Sequence, residues 1–190
     1  TTSHPLDMDI ELIKSHRDNK KLMPYLHLPA QSGSDKILKM MNRQHTAKEY
    51  LKIIEKVRYY NPEIAISGDF IVGFPGETEK DHMLTISLIK QVNYAQAYSF
   101  KYSKRPGTPG SVFLNHVNED TKNSRLYEVQ ELLRSQQLSF NKKTINNIIK
   151  VLVFKKGKKK YQYIGRSPFN QSVYFSTKKD NLIGSFIDLN

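Results

Sequence analysis

The most constraining feature of this sequence is a strand pattern that runs directly into a glycine-rich turn. Residues 64–72 are rich in apolar and β-branched side chains, and Gly73-Phe74-Pro75-Gly76 follows them. Thr78 then precedes Asp81 at the spacing of a helix cap and its partner. Such a unit is either an ordinary strand-to-helix turn or a binding place for part of a nucleotide-like ligand, since the turn admits close backbone approach and the helix N-terminus attracts anions.

Strand and helix patterns alternate along the first 146 residues. Strand patterns cover residues 24–29, 64–72 and 95–102, and helix patterns cover 7–18, 46–61, 78–91 and 119–146, with a short helix capped by Ser34. Thr46 and Glu49 form a predicted capping box. The helical spacing predicts buried faces that include Ile10, Ile13, Met83, Ile86 and Ile89.

This alternation predicts an α/β fold with a parallel sheet. The carboxyl ends of parallel strands share one edge of a sheet, so we expect the polar loops 30–34, 73–78 and 103–109 to converge there. Three strands cannot close a barrel, and we expect the rest of the sheet to precede residue 1. The missing initiator Met likewise indicates that the chain begins inside a longer protein.

The absence of cysteine limits the chemistry of the chain. It excludes disulfides, thiolate zinc sites, a Cys nucleophile and an iron–sulfur cluster ligated by this chain's own thiolates. His4, His27 and His45 do not follow a compact metal-ligand spacing, so we predict no metal site. No apolar run approaches transmembrane length and the start lacks a signal-peptide pattern, so we expect no membrane partner and a cytoplasmic location.

The positive charge is concentrated at the carboxyl end. The net charge is +12, and residues 138–190 hold 11 Lys and Arg against two acidic residues. Short strand patterns beyond residue 147 predict a small all-β unit that binds RNA through a basic hairpin, although a solvated lysine surface has the same composition. The candidate phosphate ligands are Lys156, Lys158, Lys159, Lys160 and Arg166. Tyr161, Tyr163, Phe169, Tyr174 and Phe175 are candidates for base stacking, and we expect about half of them to be core.

Four segments together resemble a known family. His27–Asp35, Met41–Thr46, Asp69–Thr78 and Tyr102–Thr108 are similar in order and spacing to the radical-SAM methylthiotransferases, most closely the MiaB type. Enzymes of that type methylthiolate an isopentenylated adenosine beside the anticodon of tRNA. The resemblance implies that residues 1–146 are three βα units from the second half of a radical-SAM partial barrel. Residues 147–190 then correspond to a TRAM-like β domain that stops short of its final strands.

The resemblance also implies cofactors and site residues. The family uses S-adenosylmethionine and [4Fe-4S] clusters, and the matching positions for S-adenosylmethionine are Gln31, Ser32, Ser34, Val72, Gly73 and Glu77. Arg105 matches a loop that faces either the tRNA or the surroundings of the second cluster. For Glu77 a purely structural role at a helix start is equally open, because the helix dipole stabilises a carboxylate there. No residue of this chain is assigned a catalytic role.

The sequence departs from the family in one important respect. The family carries cluster cysteines in its N-terminal half, and this chain contains none, so we expect the chain alone to be inactive and to need that half as a partner. Two alternatives stay open: a non-catalytic RNA-binding remnant, and a member of the sister branch that modifies a ribosomal protein. A metal-independent barrel enzyme is a third, for which the sequence offers no acid–base pair.

Overall fold

The computed structural model describes residues 3–190. Its helices are α1 (Ile10–Asp18), α2 (Asp35–Met40), α3 (Ala47–Tyr60), α4 (Glu79–Val92) and α5 (Glu119–Lys142), with short 3-10 turns at Pro5–Asp7 and Pro109–Val112. Its strands are β1 (Tyr25–His27), β2 (Ala65–Val72), β3 (Gln96–Lys101), β4 (Ile149–Lys156), β5 (Gln162–Arg166), β6 (Ser172–Ser176) and β7 (Phe186–Leu189). The alternation of strands and helices up to α5 agrees with the sequence patterns.

Strands β1, β2 and β3 form a parallel sheet with β2 in the centre. Leu26 pairs with Ile66, and Ser67 pairs with both His27 and Gln96. The predicted α/β fold class is confirmed, because these strands are joined by helices as parallel strands require.

The two faces of this sheet differ in burial. One face carries Leu26, Ile66, Phe70 and Val72, which lie in the hydrophobic core together with side chains of α3, α4 and α5. Successive side chains of a strand point to opposite faces, so Ile71 and its neighbour Phe100 lie on the other face. Burial on that face is uneven, because Ser67 is fully buried whereas Phe100 is 55% exposed.

The predicted helix starts are confirmed at atomic detail. Thr46 and Thr78 each form a capping box with the residue three positions later, and the Ser34 side chain accepts from the Ile37 N–H. These contacts are local, which is why a sequence pattern identifies them.

The prediction that Ile10 and Met83 face inward is wrong. Ile10 is 42% exposed, because Asp9 caps α1 and places Ile10 in the first turn on the solvent side. Met83 is 48% exposed, because α4 buries the face that carries His82, Ile86 and Ile89.

A four-stranded antiparallel sheet follows α5, in the order β6-β5-β4-β7. Strand β7 was not predicted; it pairs with β4 from Ile149 to Leu152 and depends on that long-range partner. The Gln171 side chain donates to Asn141 Oδ1 at 2.6 Å, and Phe169 packs edge-on against Phe140 of α5. The division into domains at residues 146 and 147 stays a prediction.

Within residues 3–190, none of the helices combines the length and apolar character needed to cross a bilayer.

Candidate functional site

The loops that follow β1, β2 and β3 converge at one edge of the parallel sheet, as predicted. They enclose a pocket of about 550 Å³, lined by Gln31, Met40, Met41, Asn42, Arg43, Ile71, Phe74, Phe100, Lys101, Tyr102, Ser103, Arg105, Thr108, Pro109 and Gly110. The pocket is therefore built by segments that lie far apart in sequence and meet because the strands are parallel.

Gln31 is held in an unusual backbone conformation at this edge. Its φ is +71°, its N–H donates to Asp69 O at 2.8 Å, and its carbonyl accepts from Ile71 N at 3.0 Å. A non-glycine residue in the left-handed region persists only where its surroundings hold it, as these two bonds to β2 do here. Its placement on the pocket wall is compatible with the predicted cofactor role.

Ser32 and Ser34 lie beside the pocket but are directed toward helix α4. The Ser32 hydroxyl accepts from the Ser34 N–H and lies 3.3 Å from Thr85 Oγ1. The Ser34 hydroxyl donates to Asp81 Oδ1 at 2.7 Å. Both serines are 1% exposed, so in this arrangement they join the β1 loop to α4.

Asp81 is the acceptor at the centre of this junction. Burial opposes its ionisation, yet donors from Thr78, Ser34 and Lys36 together lower the pKa of Asp81 well below its usual range. The Lys36 ammonium lies 3.0 Å from Oδ2 and also donates to Gly76 O at 2.7 Å. The carboxylate thus fixes the loops that leave β1 and β2 relative to each other.

Glu77 forms a buried ion pair with Arg125 of α5. Arg125 Nη1 lies 2.8 Å from Glu77 Oε1, and that same oxygen accepts from the Gly73 N–H at 2.9 Å. Burial raises the pKa of Glu77, against the opposing influence of the Gly73 N–H and Arg125. Through these two contacts the Glu77 carboxylate connects the turn at Gly73 to α5.

Val72 and Gly73 end the central strand. Val72 is 1% exposed, and its carbonyl accepts from Tyr102 N at 2.9 Å. Gly73 has φ +70°, and an added Cβ would lie 2.3 Å from Lys122 Cγ. Only glycine fits this backbone conformation and this close approach.

The sheet face opposite the hydrophobic core carries a polar cluster that the sequence did not reveal. His27 Nδ1 lies 2.9 Å from Ser67 Oγ, and His27 Nε2 lies 3.4 Å from Asp69 Oδ2. The spacing along the chain gives no signal for this cluster, because its members come together only through the strand register.

Arg43 and Arg125 are further site residues that sequence reasoning missed as such. Arg43 lies in the Met41–Thr46 segment, which resembled the family without an assigned role, and it lines the pocket beside Arg105. Arg125 carried no signal, because a single Arg in a long polar helix is usually exposed.

The basic residues predicted to bind RNA are all exposed, but they are not equivalent. Lys156, Lys158, Lys159 and Lys160 lie at the β4–β5 connection. The Arg166 guanidinium donates to Asn170 O at 3.0 Å and to Ser172 Oγ at 2.9 Å.

The candidate stacking residues divide between core and surface, as expected. Tyr163 is 3% exposed and stacks on Phe175, whereas Tyr161 and Tyr174 are 48% and 64% exposed. Phe169 packs against α5, which leaves Tyr161 and Tyr174 as the exposed members of the predicted set.

Residues 3–190 contain no group of three His, Cys, Asp or Glu side chains arranged to hold a metal ion. Cysteine is absent from the sequence, so this chain does not supply the thiolates that a [4Fe-4S] cluster needs.

Comparisons with known proteins agree with this architecture. The model of the Radical SAM superfamily matches residues 1–89. A tRNA-2-methylthio-N(6)-dimethylallyladenosine synthase from Ehrlichia chaffeensis is 54% identical over 182 residues, which cover 95% of this chain and 41% of the relative.

One solved structure is similar in fold, and a second gives a weaker match. Coproporphyrinogen III oxidase (HemN) from Escherichia coli, a Radical SAM enzyme, has a TM-score of 0.58 at 15% identity, over 71% of this chain and 31% of its own. An N-terminally truncated Elp3 from Methanocaldococcus infernus has a TM-score of 0.45 at 15% identity, over 73% of this chain and 31% of its own.

The family model assigns residues 1–89 to the radical SAM superfamily, and the structure of HemN shares the fold. Over 95% of its length the chain also resembles, at 54% identity, the Ehrlichia relative, a radical-SAM methylthiotransferase. The chain spans about two fifths of that relative's length. The resemblance inferred from the four segments is thereby confirmed.

Proposed function

We propose that this chain is part of a tRNA methylthiotransferase, which adds a methylthio group to C2 of an isopentenylated adenosine beside the anticodon. The observation that carries the proposal is the 54% identity over 95% of the chain to a relative named as a tRNA-2-methylthio-N(6)-dimethylallyladenosine synthase. The name of this relative favours the tRNA branch over the sister branch that acts on a ribosomal protein. We place the enzyme in the cytoplasm, where tRNA is modified.

The chain's contribution is to bind and orient S-adenosylmethionine and the tRNA. Bound S-adenosylmethionine supplies the radical chemistry and the methyl group. We propose that Gln31 and the backbone of Val72 and Gly73 contact this cofactor, because they lie at the carboxyl edge of the sheet. The buried hydroxyl of Tyr102, which lines the pocket and has no hydrogen-bond partner among the described residues, fits a ligand at this edge.

Ser32, Ser34 and Glu77 complete the predicted cofactor set. Their present partners are Thr85, Asp81 and Arg125, so we propose that they hold the two loops in place around the cofactor. Any direct contact from these side chains requires that one of these bonds be exchanged for a bond to the ligand.

The iron–sulfur cluster does not fit this chain, which supplies no thiolate. We therefore propose that cluster binding belongs to cysteines outside these 190 residues. The chain by itself is expected to be inactive.

The basic β unit is proposed to anchor the tRNA. Among residues 3–190, no carboxylate lies within ion-pairing distance of the exposed lysines of the β4–β5 connection, so their charge suits phosphates. Exposed Tyr161 and Tyr174 offer stacking surfaces. An anchor of this kind acts independently of sequence, so we assign base selection to the parallel-sheet edge.

The proposal is tested with a chimera in which this chain replaces the matching part of the Ehrlichia relative. The purified, cluster-reconstituted chimera is incubated with S-adenosylmethionine, a one-electron reductant, sulfide as the sulfur source and isopentenylated tRNA, and the nucleosides are analysed by mass spectrometry. We expect a methylthio group in place of one hydrogen on the modified adenosine, with the intact relative as the positive control.

Two other outcomes contradict the proposal. A folded, cluster-loaded chimera that binds tRNA without forming the product indicates an RNA-binding remnant. Modification of a ribosomal protein instead of tRNA indicates the sister branch.

A further inference from the structure

The pocket at the sheet edge is strongly cationic. The described residues that line it include Arg43, Lys101 and Arg105, and none of them is an Asp or Glu. A pocket with three cations and no carboxylate creates a positive potential that favours an anionic ligand.

Two of these three cations are not neutralised. Lys101 Nζ lies 3.0 Å from Glu119 Oε2, so its charge is paired. Among residues 3–190, neither Arg43 nor Arg105 lies within ion-pairing distance of a carboxylate. Guanidinium groups form bidentate bonds to phosphate, and two of them beside one pocket make a phosphate ligand the best match.

The same pocket has an apolar, partly aromatic wall. Phe100 is 55% exposed and pairs in register with Ile71 of β2, and both line the pocket together with Met41. An aromatic face left open beside two unpaired guanidinium groups suits a ligand that combines a flat base with a phosphate.

We propose that this pocket binds one nucleotide of the RNA substrate, with its phosphate on Arg43 and Arg105 and its base against Phe100. The inference rests on the proposed function and names the site at which the RNA reaches the sheet edge. S-adenosylmethionine is a poorer occupant, because its sulfonium and ammonium groups outweigh its one carboxylate and give it a net positive charge beside two unpaired guanidinium groups. Gln31 also lines the pocket, so a cofactor held by Gln31 and Gly73 lies next to the nucleotide, as a reaction between the two requires.

The phosphate contact is tested by RNA binding to the 190-residue chain across a salt series, with a fluorescent anticodon stem-loop hairpin as the probe. Arg43→Gln and Arg105→Gln are each expected to weaken binding about fivefold and to reduce the salt slope by about one. Arg134→Gln is the matched control: it removes an exposed Arg of α5 that does not line this pocket, and it is expected to leave the salt slope nearly unchanged. Circular dichroism verifies that each variant is folded. Arg43→Lys and Arg105→Lys are expected to retain part of the affinity for the hairpin, because they keep the positive charge.

The base contact is tested with a hairpin that has an abasic site at the nucleotide beside the anticodon. Loss of the base is expected to weaken binding to the unmodified chain by about tenfold, because stacking on an aromatic ring is lost. Phe100→Ala is expected to weaken binding of the intact hairpin by a similar factor. The same substitution is expected to add little further loss with the abasic hairpin.

Two results overturn the inference. One is that the two arginine variants bind RNA as Arg134→Gln does. The other is that they lose S-adenosylmethionine binding, measured by equilibrium dialysis, while RNA binding is unchanged, which assigns the pocket to the cofactor. Failure of the proposed function is distinguishable, because a chimera without product still shows pocket-dependent RNA binding if the inference is correct.

Discussion

The buried ion pair between Glu77 and Arg125 gives the sharpest test of how the site is held together. The exposed fractions of the two side chains are 2% and 8%, and Arg125 also donates to Glu77 O at 3.2 Å. Arg125→Met removes these bonds and leaves the Glu77 carboxylate buried without its cation, which costs about 3–5 kcal/mol of unfolding free energy. The third partner, Glu79, has a side chain that is 72% exposed, so its contact is worth at most about 0.5 kcal/mol.

The assay is urea unfolding of the 190-residue chain, followed by circular dichroism. Arg125→Met is expected to lower the unfolding free energy by the amount above and the melting temperature by about 10 °C. Glu79→Gln is the matched control and is expected to change little. In the double variant Glu77→Gln/Arg125→Met the loss should be at least about 1 kcal/mol smaller than the sum of the single losses, because no charge is left buried alone.

The pH dependence provides a second readout. Burial raises the pKa of Glu77 in the folded chain, so the contribution of this group to stability is present below its unfolded pKa and is lost as the pH rises through the folded pKa. Without Arg125 the folded pKa rises further, and the gap between Arg125→Met and the unmodified chain should narrow from pH 7 to pH 5. A gap that is independent of pH, or single losses that simply add, would refute this account of the pair.

Three further predictions concern the same edge and the basic unit. Gly73→Ala places a methyl group 2.3 Å from Lys122 Cγ at φ +70°. The control is Gly107→Ala, where no described atom lies within 4 Å of the added methyl group, so that only the positive φ lowers the unfolding free energy, by about 1 kcal/mol. In urea unfolding Gly73→Ala should lose clearly more unfolding free energy than Gly107→Ala, and equal losses contradict the steric argument. Asp81→Asn removes the buried negative charge and replaces the oxygen that accepts from Thr78 and Lys36 by an NH2 group, which should cost about 2–3 kcal/mol at pH 7. Since the pKa of Asp81 is lowered, that stability is lost as the pH falls below its usual 3.8, and an acid titration should show the gap to Asp81→Asn shrinking there rather than staying constant. Changing the lysines of the β4–β5 connection (Lys156, Lys158, Lys159, Lys160) to Gln should weaken binding of the RNA hairpin and reduce the salt dependence of that binding. The same change at four exposed lysines of α3 and α4 (Lys48, Lys52, Lys56, Lys80) should have a smaller effect. Equal effects would indicate that RNA binding depends on the net charge of the chain and not on a site at the β4–β5 connection.

Local features of this protein were accessible from its sequence. The capping boxes at Thr46 and Thr78 and the strand before Gly73 follow from patterns within a few residues. The parallel α/β arrangement follows from the order in which such local patterns alternate along the chain. The family resemblance followed from short segments of the same kind, and the absence of cysteine needed only the composition. The burial of helix faces was less accessible, because Ile10 and Met83 are apolar but lie on the solvent side.

The candidate site itself required the tertiary structure. Glu77 and Arg125 are 48 residues apart, and Arg43 and Arg105 belong to loops of different strands. Strand β7 likewise forms only because β4 offers it an edge. The spacing of residue types along a chain indicates which backbone conformation each segment prefers. The strand register and the packing of α5 decide which side chains meet, because those contacts join segments that have no fixed separation in sequence.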